Sequence, residues 1–162
     1  MESVFSSGAG LALTVVVAGL VAYLGVWLFE RTTRDIDEWA ELRQGNLAVG
    51  VVMGAIVVAV GIIVRPALQE PLITADVGRW RPFYELLVNA VGLFIALGLA
   101  IVAVRLAVWL FTRLTTNLDE WAELADGNQA VAALMAGVVL VVALLTATAV
   151  ERIVIALTEA IF

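Results

Sequence analysis

Four stretches of apolar residues run along the chain, and short polar segments separate them. A helix needs about 20 mainly apolar residues to cross a hydrocarbon core of about 30 Å. Continuous stretches rich in Val and Ala exclude the alternating strands of a membrane barrel. The pattern predicts an all-α polytopic membrane protein with four transmembrane helices, over residues 4–29, 47–64, 83–111 and 130–150. The second stretch is the shortest, which leaves a re-entrant segment as an alternative there.

A shift of 82 positions aligns residues 27–53 with residues 109–135, and 16 of these 27 pairs are identical. We interpret this as an internal duplication with three parts, a first transmembrane hairpin (1–66), a linker (67–82) and a second hairpin (83–162). Each unit crosses the membrane twice, so the two hairpins are predicted to be parallel. Both polar turns then lie on one side of the membrane.

The most similar part of the duplication reads Asp-Glu-Trp-Ala-Glu-Leu, then two variable residues, then Gly-Asn. We call residues 37–46 the first turn and residues 119–128 the second turn. Asp35 and Asn117 are predicted N-caps, because glutamate follows each of them by three residues. A short interfacial helix should follow, with a tryptophan and two leucine or isoleucine residues on its membrane face. Gly or Asn is predicted to end each turn helix or to cap the next helix at Gly45, Asn46, Gly127 and Asn128.

Six carboxylates are expected on the face of the turn helices opposite the apolar arc. In one interpretation they form the solvated face of a surface turn. In the other they form a cation-attracting vestibule or a docking surface for a basic protein partner. They are Asp37, Glu38, Glu41, Asp119, Glu120 and Glu123.

Arg105 is the one arginine with long apolar sequence on both sides. An unpaired arginine at membrane depth is costly, so four environments are considered. The side chain snorkels, stacks on Trp109, pairs with a carboxylate near a helix end, or faces a wet cavity. A functional Arg105 would bind anions or a lipid phosphate, or would line the pathway of a small ion channel or transporter.

Small residues at four-residue spacing predict close helix packing. They lie in the second and fourth transmembrane segments, at Gly50 and Gly54, at Ala132 and Ala136, and at Ala133 and Gly137. Packing within the monomer is the first interpretation. Contact between subunits of a homo-oligomer is the second.

The composition agrees with a membrane protein, with 63% hydrophobic residues, 15% charged residues and a mean hydropathy of +1.05. The chain contains neither His nor Cys, which excludes thiolate chemistry and His-based catalysis or metal binding. No catalytic residue, cofactor site or metal site is predicted, and binding of a hard cation by carboxylates alone stays open. A net charge of -6 argues against a nucleic-acid partner. We therefore do not expect an enzyme.

A nine-residue string, Glu-Leu-x-x-Gly-Asn-x-Ala-Val, occurs in both halves and resembles the YjfL-like family, a domain of unknown function in small inner-membrane proteins. The matching positions are Glu41, Gly45, Asn46 and Ala48, and Glu123, Gly127, Asn128 and Ala130. The resemblance implies a multi-pass protein of the cell inner (plasma) membrane without established enzymatic activity, whose relatives are in some cases encoded near membrane-stress proteins. It supplies no substrate and no catalytic residue. From it we expect an oligomeric membrane scaffold or adaptor, with the small ion channel as the alternative.

Overall fold

The computed structural model describes residues 2–33, 37–68, 81–115 and 118–161, and these ranges are helical apart from short turns. Four helices are long and apolar enough to cross a membrane, which confirms the predicted all-α fold. In chain order the helices are α1 (Glu2–Thr32), α2 (Glu38–Arg43), α3 (Leu47–Val64), α4 (Arg81–Leu114), α5 (Glu120–Ala125) and α6 (Gln129–Ile161). A 3₁₀ turn, Arg65–Leu68, directly continues α3.

Helix α3 lies at the centre of the bundle and packs against α1, α4 and, most extensively, α6. Its buried residues recur every three or four positions along the helix, as one face of an α-helix requires. Residues with almost no exposed surface include Val49, Val52, Ile56, Val60 and Ile63. With the 3₁₀ turn, α3 forms an apolar segment of 22 residues, long enough to cross a bilayer rather than re-enter it.

Three of the long helices extend beyond the predicted boundaries, α1 by a few residues at each end. Helix α6 continues to Ile161 rather than ending at residue 150, because Glu151 and Arg152 end the apolar stretch without breaking a helix. Helix α4 begins at Arg81, and Pro82 lies in its first turn. Proline fits there because backbone N–H groups in the first turn of a helix have no partner within the helix. The predicted linker 67–82 is therefore helical at both ends, and its remainder, 69–80, lies outside the described residues.

Helix α1 comes very close to α3 at Gly25. A Cβ atom on Gly25 would lie 2.7 Å from Val57 Cα and 2.9 Å from Val57 Cγ2. Only glycine lets the α1 and α3 backbones come so close. The sequence analysis did not single out this residue, because no second small residue stands four positions away to form the motif.

Of the small residues predicted to pack closely, Ala132 and Ala136 are buried in the bundle, whereas the other four are exposed or half-buried. Gly54, Ala133 and Gly137 are exposed, and a Cβ atom on Gly54 or Gly137 would meet no atom within 4 Å. Gly50 is half-buried, and a Cβ atom added there would lie 3.5 Å from Leu42 Cδ2, an ordinary contact distance. These four positions therefore do not bring the helices of one chain together. The physical reason is their angular position, since the neighbouring residues on the same helices take the buried face.

Candidate functional site

The two turns meet at one end of the helical bundle. The Asn46 side-chain Nδ2 donates to the carbonyl oxygens of Leu124, at 2.9 Å, and Ala125, at 3.1 Å. Helices α3 and α5 are also in contact. The parallel arrangement, with both turns at the same end, is confirmed for the described residues.

Each turn helix begins with an aspartate cap. Asp37 Oδ1 accepts a hydrogen bond from Ala40 N at 2.9 Å, and Asp119 Oδ1 accepts one from Ala122 N at 3.2 Å. The predicted caps, Asp35 and Asn117, stand two residues too early and lie outside the described residues. Asp35 and Asp37 are both good capping residues, as are Asn117 and Asp119. Which of them caps the helix depends on the residue at which the helix begins, and a sequence gives that boundary poorly.

Each turn helix ends at a glycine with positive φ, 82° at Gly45 and 80° at Gly127, as predicted. The Gly45 amide donates to the Leu42 carbonyl at 3.1 Å, and the Asn46 amide donates to the Glu41 carbonyl at 2.9 Å. The second turn has the same pair of hydrogen bonds. This is a Schellman motif, in which the left-handed residue satisfies carbonyls at the helix end.

The asparagine after each glycine joins the turn to the next membrane helix. Asn46 Oδ1 accepts from Val49 N at 3.3 Å, so the side chain caps α3. Its Nδ2 also donates to Glu41 Oε2 at 2.8 Å. Asn128 makes the same type of contact with Glu123 at 2.6 Å. Both glutamates thus face a polar group at the start of the following helix, as predicted.

Glu38 and Glu120 differ from the prediction, because they are buried rather than on a solvated face. Glu38 Oε1 contacts the Thr33 hydroxyl, and Glu120 Oε1 contacts the Thr115 hydroxyl. A buried carboxylate needs such a donor, since burial removes its hydration. Both threonines were missed by the sequence analysis. The signal that points to them is their identity at aligned positions of the two halves.

The six carboxylates therefore do not form one open acidic surface. Two cap helices, two bind asparagine amides and two are buried against threonine. Among the described residues, no group of three or more Asp or Glu side chains is placed to hold a metal ion. The side chains serve mainly to fix the shape of their own turns.

Arg105 lies on the exposed side of α4, whereas the nearby residues of α4 that face the bundle, Ala103, Val104, Ala107 and Val108, are apolar. It therefore does not line a pathway between the helices of one chain. Its exposure agrees with a snorkelling side chain, one of the four environments considered. Apolar sequence on both sides of a charge gives its depth along a helix but not its angular direction. Trp109, four residues on, is 56% exposed on the same side.

The contact from Asn46 to the second turn distinguishes the two asparagines. We expect Asn46→Ala to loosen the two hairpins more than Asn128→Ala does, because each variant loses a cap and a glutamate contact but only Asn46 bridges to the other turn. The extra cost is about 1 kcal/mol, the usual net value of a hydrogen bond. Unfolding titrations of both variants in the same detergent measure it, and equal losses would contradict the bridge.

Comparison with known proteins identifies the family of this chain. A family model, Domain of Unknown Function (DUF350), matches residues 3–150, which is nearly the whole chain. No curated protein and no solved structure matches. The match includes both turns and reaches all four long helices. The chain therefore belongs to the DUF350 family.

Proposed function

We propose that this protein is a non-enzymatic scaffold or adaptor of the cell inner membrane, and that its paired turns dock a protein partner at the membrane surface. The observation that carries the proposal is the bridge from Asn46 to the second turn, at 2.9 Å and 3.1 Å. Two turns that are capped at both ends and joined to each other form a rigid platform. A rigid surface binds a partner with little loss of conformational entropy.

The two turns present different chemistry to a partner. In the first turn, exposed Arg43 offsets exposed Asp37. In the second turn, the position of Arg43 is taken by Ala125, while Asp119 and Asp126 are both exposed. The second turn is therefore the more acidic one, and Leu118 beside it is 38% exposed. These features favour a partner segment with basic residues and one apolar side chain.

A photo-crosslinking residue at Ala125, introduced into cells that make the protein, tests this proposal. We expect one discrete protein adduct, and we expect Asp119→Asn with Asp126→Asn to reduce it. Asparagine keeps the helix cap at position 119, so this double variant removes charge without removing the cap. The same crosslinker at exposed Val58, on the side of α3, is the control position. An adduct that is absent, or that ignores the two charges, contradicts the proposal.

We also propose that the two hairpins arose as tandem units of the YjfL-like type, and that the protein forms a homo-oligomer. The oligomer is supported by exposed Gly54 and Gly137, which would let helices of a second copy approach closely. Gly137→Leu should fold, because a side chain at this position has open space within the monomer. In native mass spectrometry this variant should show less oligomer and more monomer than the wild-type protein. A wild-type protein that is monomeric in every lipid contradicts the oligomer.

The ion channel, as the alternative function, gains no support from the geometry. Most of the turn carboxylates are held in local contacts, and Arg105 lies outside the bundle. We expect purified protein in liposomes to give no K⁺, Na⁺, Cl⁻ or H⁺ flux above empty liposomes. If the protein does conduct ions, and if Arg105→Gln abolishes that flux, the protein is a channel and the scaffold proposal is wrong.

A further inference from the structure

Two arginines and a tryptophan form an exposed stripe on α4. Arg105, Trp109 and Arg113 stand four residues apart, so they lie within an arc of about 80° on one side of the helix. All three are exposed, and Val102, on the same side, is 61% exposed. The opposite side of α4 packs into the bundle through Ala100, Ala103, Val104, Ala107 and Phe111.

The stripe is expected to span the boundary between headgroups and hydrocarbon. Arg113 stands one residue before the end of α4 at Leu114, where the polar end of the helix should reach the membrane surface, and Arg105 lies about 12 Å further along the helix toward the hydrocarbon. Within the described parts of the chain, neither guanidinium has a hydrogen bond or an ion pair with the protein. A cation in this position lowers its free energy by snorkelling toward the surface and pairing with an anion there.

We propose that the Arg105, Trp109 and Arg113 stripe binds the headgroup phosphate of an anionic phospholipid. A lipid phosphate sits at the depth that a snorkelling Arg105 reaches, whereas a soluble anion would have to leave water to meet it. Guanidinium groups bind phosphate oxygens in a bidentate manner, and the indole between them anchors at the same interface. Charge complementarity on a lipid-facing surface thus selects an anionic lipid as the occupant.

The first half of the chain lacks this stripe, which provides matched controls. On α1 the corresponding residues are Tyr23, Trp27 and Arg31, so tyrosine takes the place of the deeper arginine. Tyr23 is 71% exposed in that position. Arg105→Tyr should therefore fold without strain. Arg31→Gln removes an exposed arginine at the same end of the bundle and leaves the proposed site unchanged.

Native mass spectrometry of the purified protein with equal amounts of phosphatidylglycerol and phosphatidylcholine tests the proposal. We expect retained phosphatidylglycerol to exceed retained phosphatidylcholine. Arg105→Tyr or Arg113→Gln should each lower that preference roughly fivefold, as loss of one arginine near an anionic surface predicts. Arg31→Gln should leave the preference unchanged, and Arg105→Lys should keep part of it.

Three results would overturn the site. One is equal retention of the two lipids by the wild-type protein. Another is a preference that Arg105→Tyr leaves unchanged while the variant elutes as a folded protein. The third is displacement of phosphatidylglycerol by excess inorganic phosphate, which would indicate a site for a soluble anion instead of a lipid.

Discussion

Valine at Gly45 or Gly127 should destabilise the protein by about 1 to 3 kcal/mol, the cost of holding a side chain in strained backbone. Both glycines have φ near +80°, a conformation that β-branched residues strongly disfavour. The left-handed residue also aligns two hydrogen bonds, so the chain cannot relax without losing them. We expect lower folded yield in membranes and an unfolding transition at lower denaturant concentration.

Two control variants separate backbone strain from loss of space. Gly45→Asn should retain most of the stability, because asparagine tolerates the left-handed region. Arg43→Ala should also be tolerated, because exposed Arg43 contributes only a hydrogen bond to the Trp39 carbonyl at 3.0 Å. If Gly45→Val unfolds no earlier than Gly45→Asn, the turn does not depend on positive φ.

Alanine at Gly25 should separate α1 from α3 and destabilise the bundle by about 1 to 3 kcal/mol, the usual range for overpacking. The added Cβ would lie 2.7 Å from Val57 Cα, a backbone atom that cannot turn away as a flexible side chain does. Thermal unfolding of purified protein measures the loss. A disulfide or fluorescence reporter between α1 and α3 would detect the separation directly.

Gly19→Ala on the same helix is the matched control, because its Cβ would meet no atom within 4 Å. Adding Val57→Ala to Gly25→Ala should relieve the loss only in part. The second change removes the contact at Cγ2 but leaves the clash with the Val57 Cα. Full recovery in the double variant would mean that side chains, not backbones, set the distance between these helices.

Hydropathy and the recurring turn sequence were sufficient to predict the helices, their number and the shared end of the two turns. Helix length follows from composition alone, since an apolar run must cross the bilayer. The glycines could also be predicted, because a glycine after a short helix and before an asparagine is typical of a left-handed C-terminus. These features depend on local sequence, which is what a single chain records most directly.

Features that depend on tertiary contact could not be predicted in the same way. Burial of Glu38 depends on Thr33 at the end of the preceding helix, and the close approach at Gly25 depends on Val57 in another helix. Angular direction is the other feature that the sequence does not give, as the exposure of Arg105 and Gly137 shows. A nearly uniform apolar helix carries little periodic signal to show which side faces lipid.

The hydrogen bonds also differ between the two halves at positions where the residues are identical. Asn46 and Asn128 occupy aligned positions and bind equivalent glutamates. Among the described residues of the two turns, only Asn46 reaches the carbonyls of the opposite turn. The two turns thus make different contacts within one surface, and the second turn is also the more acidic of the two. A partner would approach an asymmetric platform.

The central claim, that both turns form one surface on one side of the membrane, has a direct test in single-cysteine labelling. The natural chain has no cysteine, so Gln44→Cys and Asp126→Cys each introduce one thiol at exposed, aligned positions. Glu151→Cys, exposed near the other end of the bundle, is the reference. In sealed vesicles of known orientation, a membrane-impermeant thiol reagent should label positions 44 and 126 from the same side and position 151 from the other. Labelling of positions 44 and 126 from opposite sides would contradict the account.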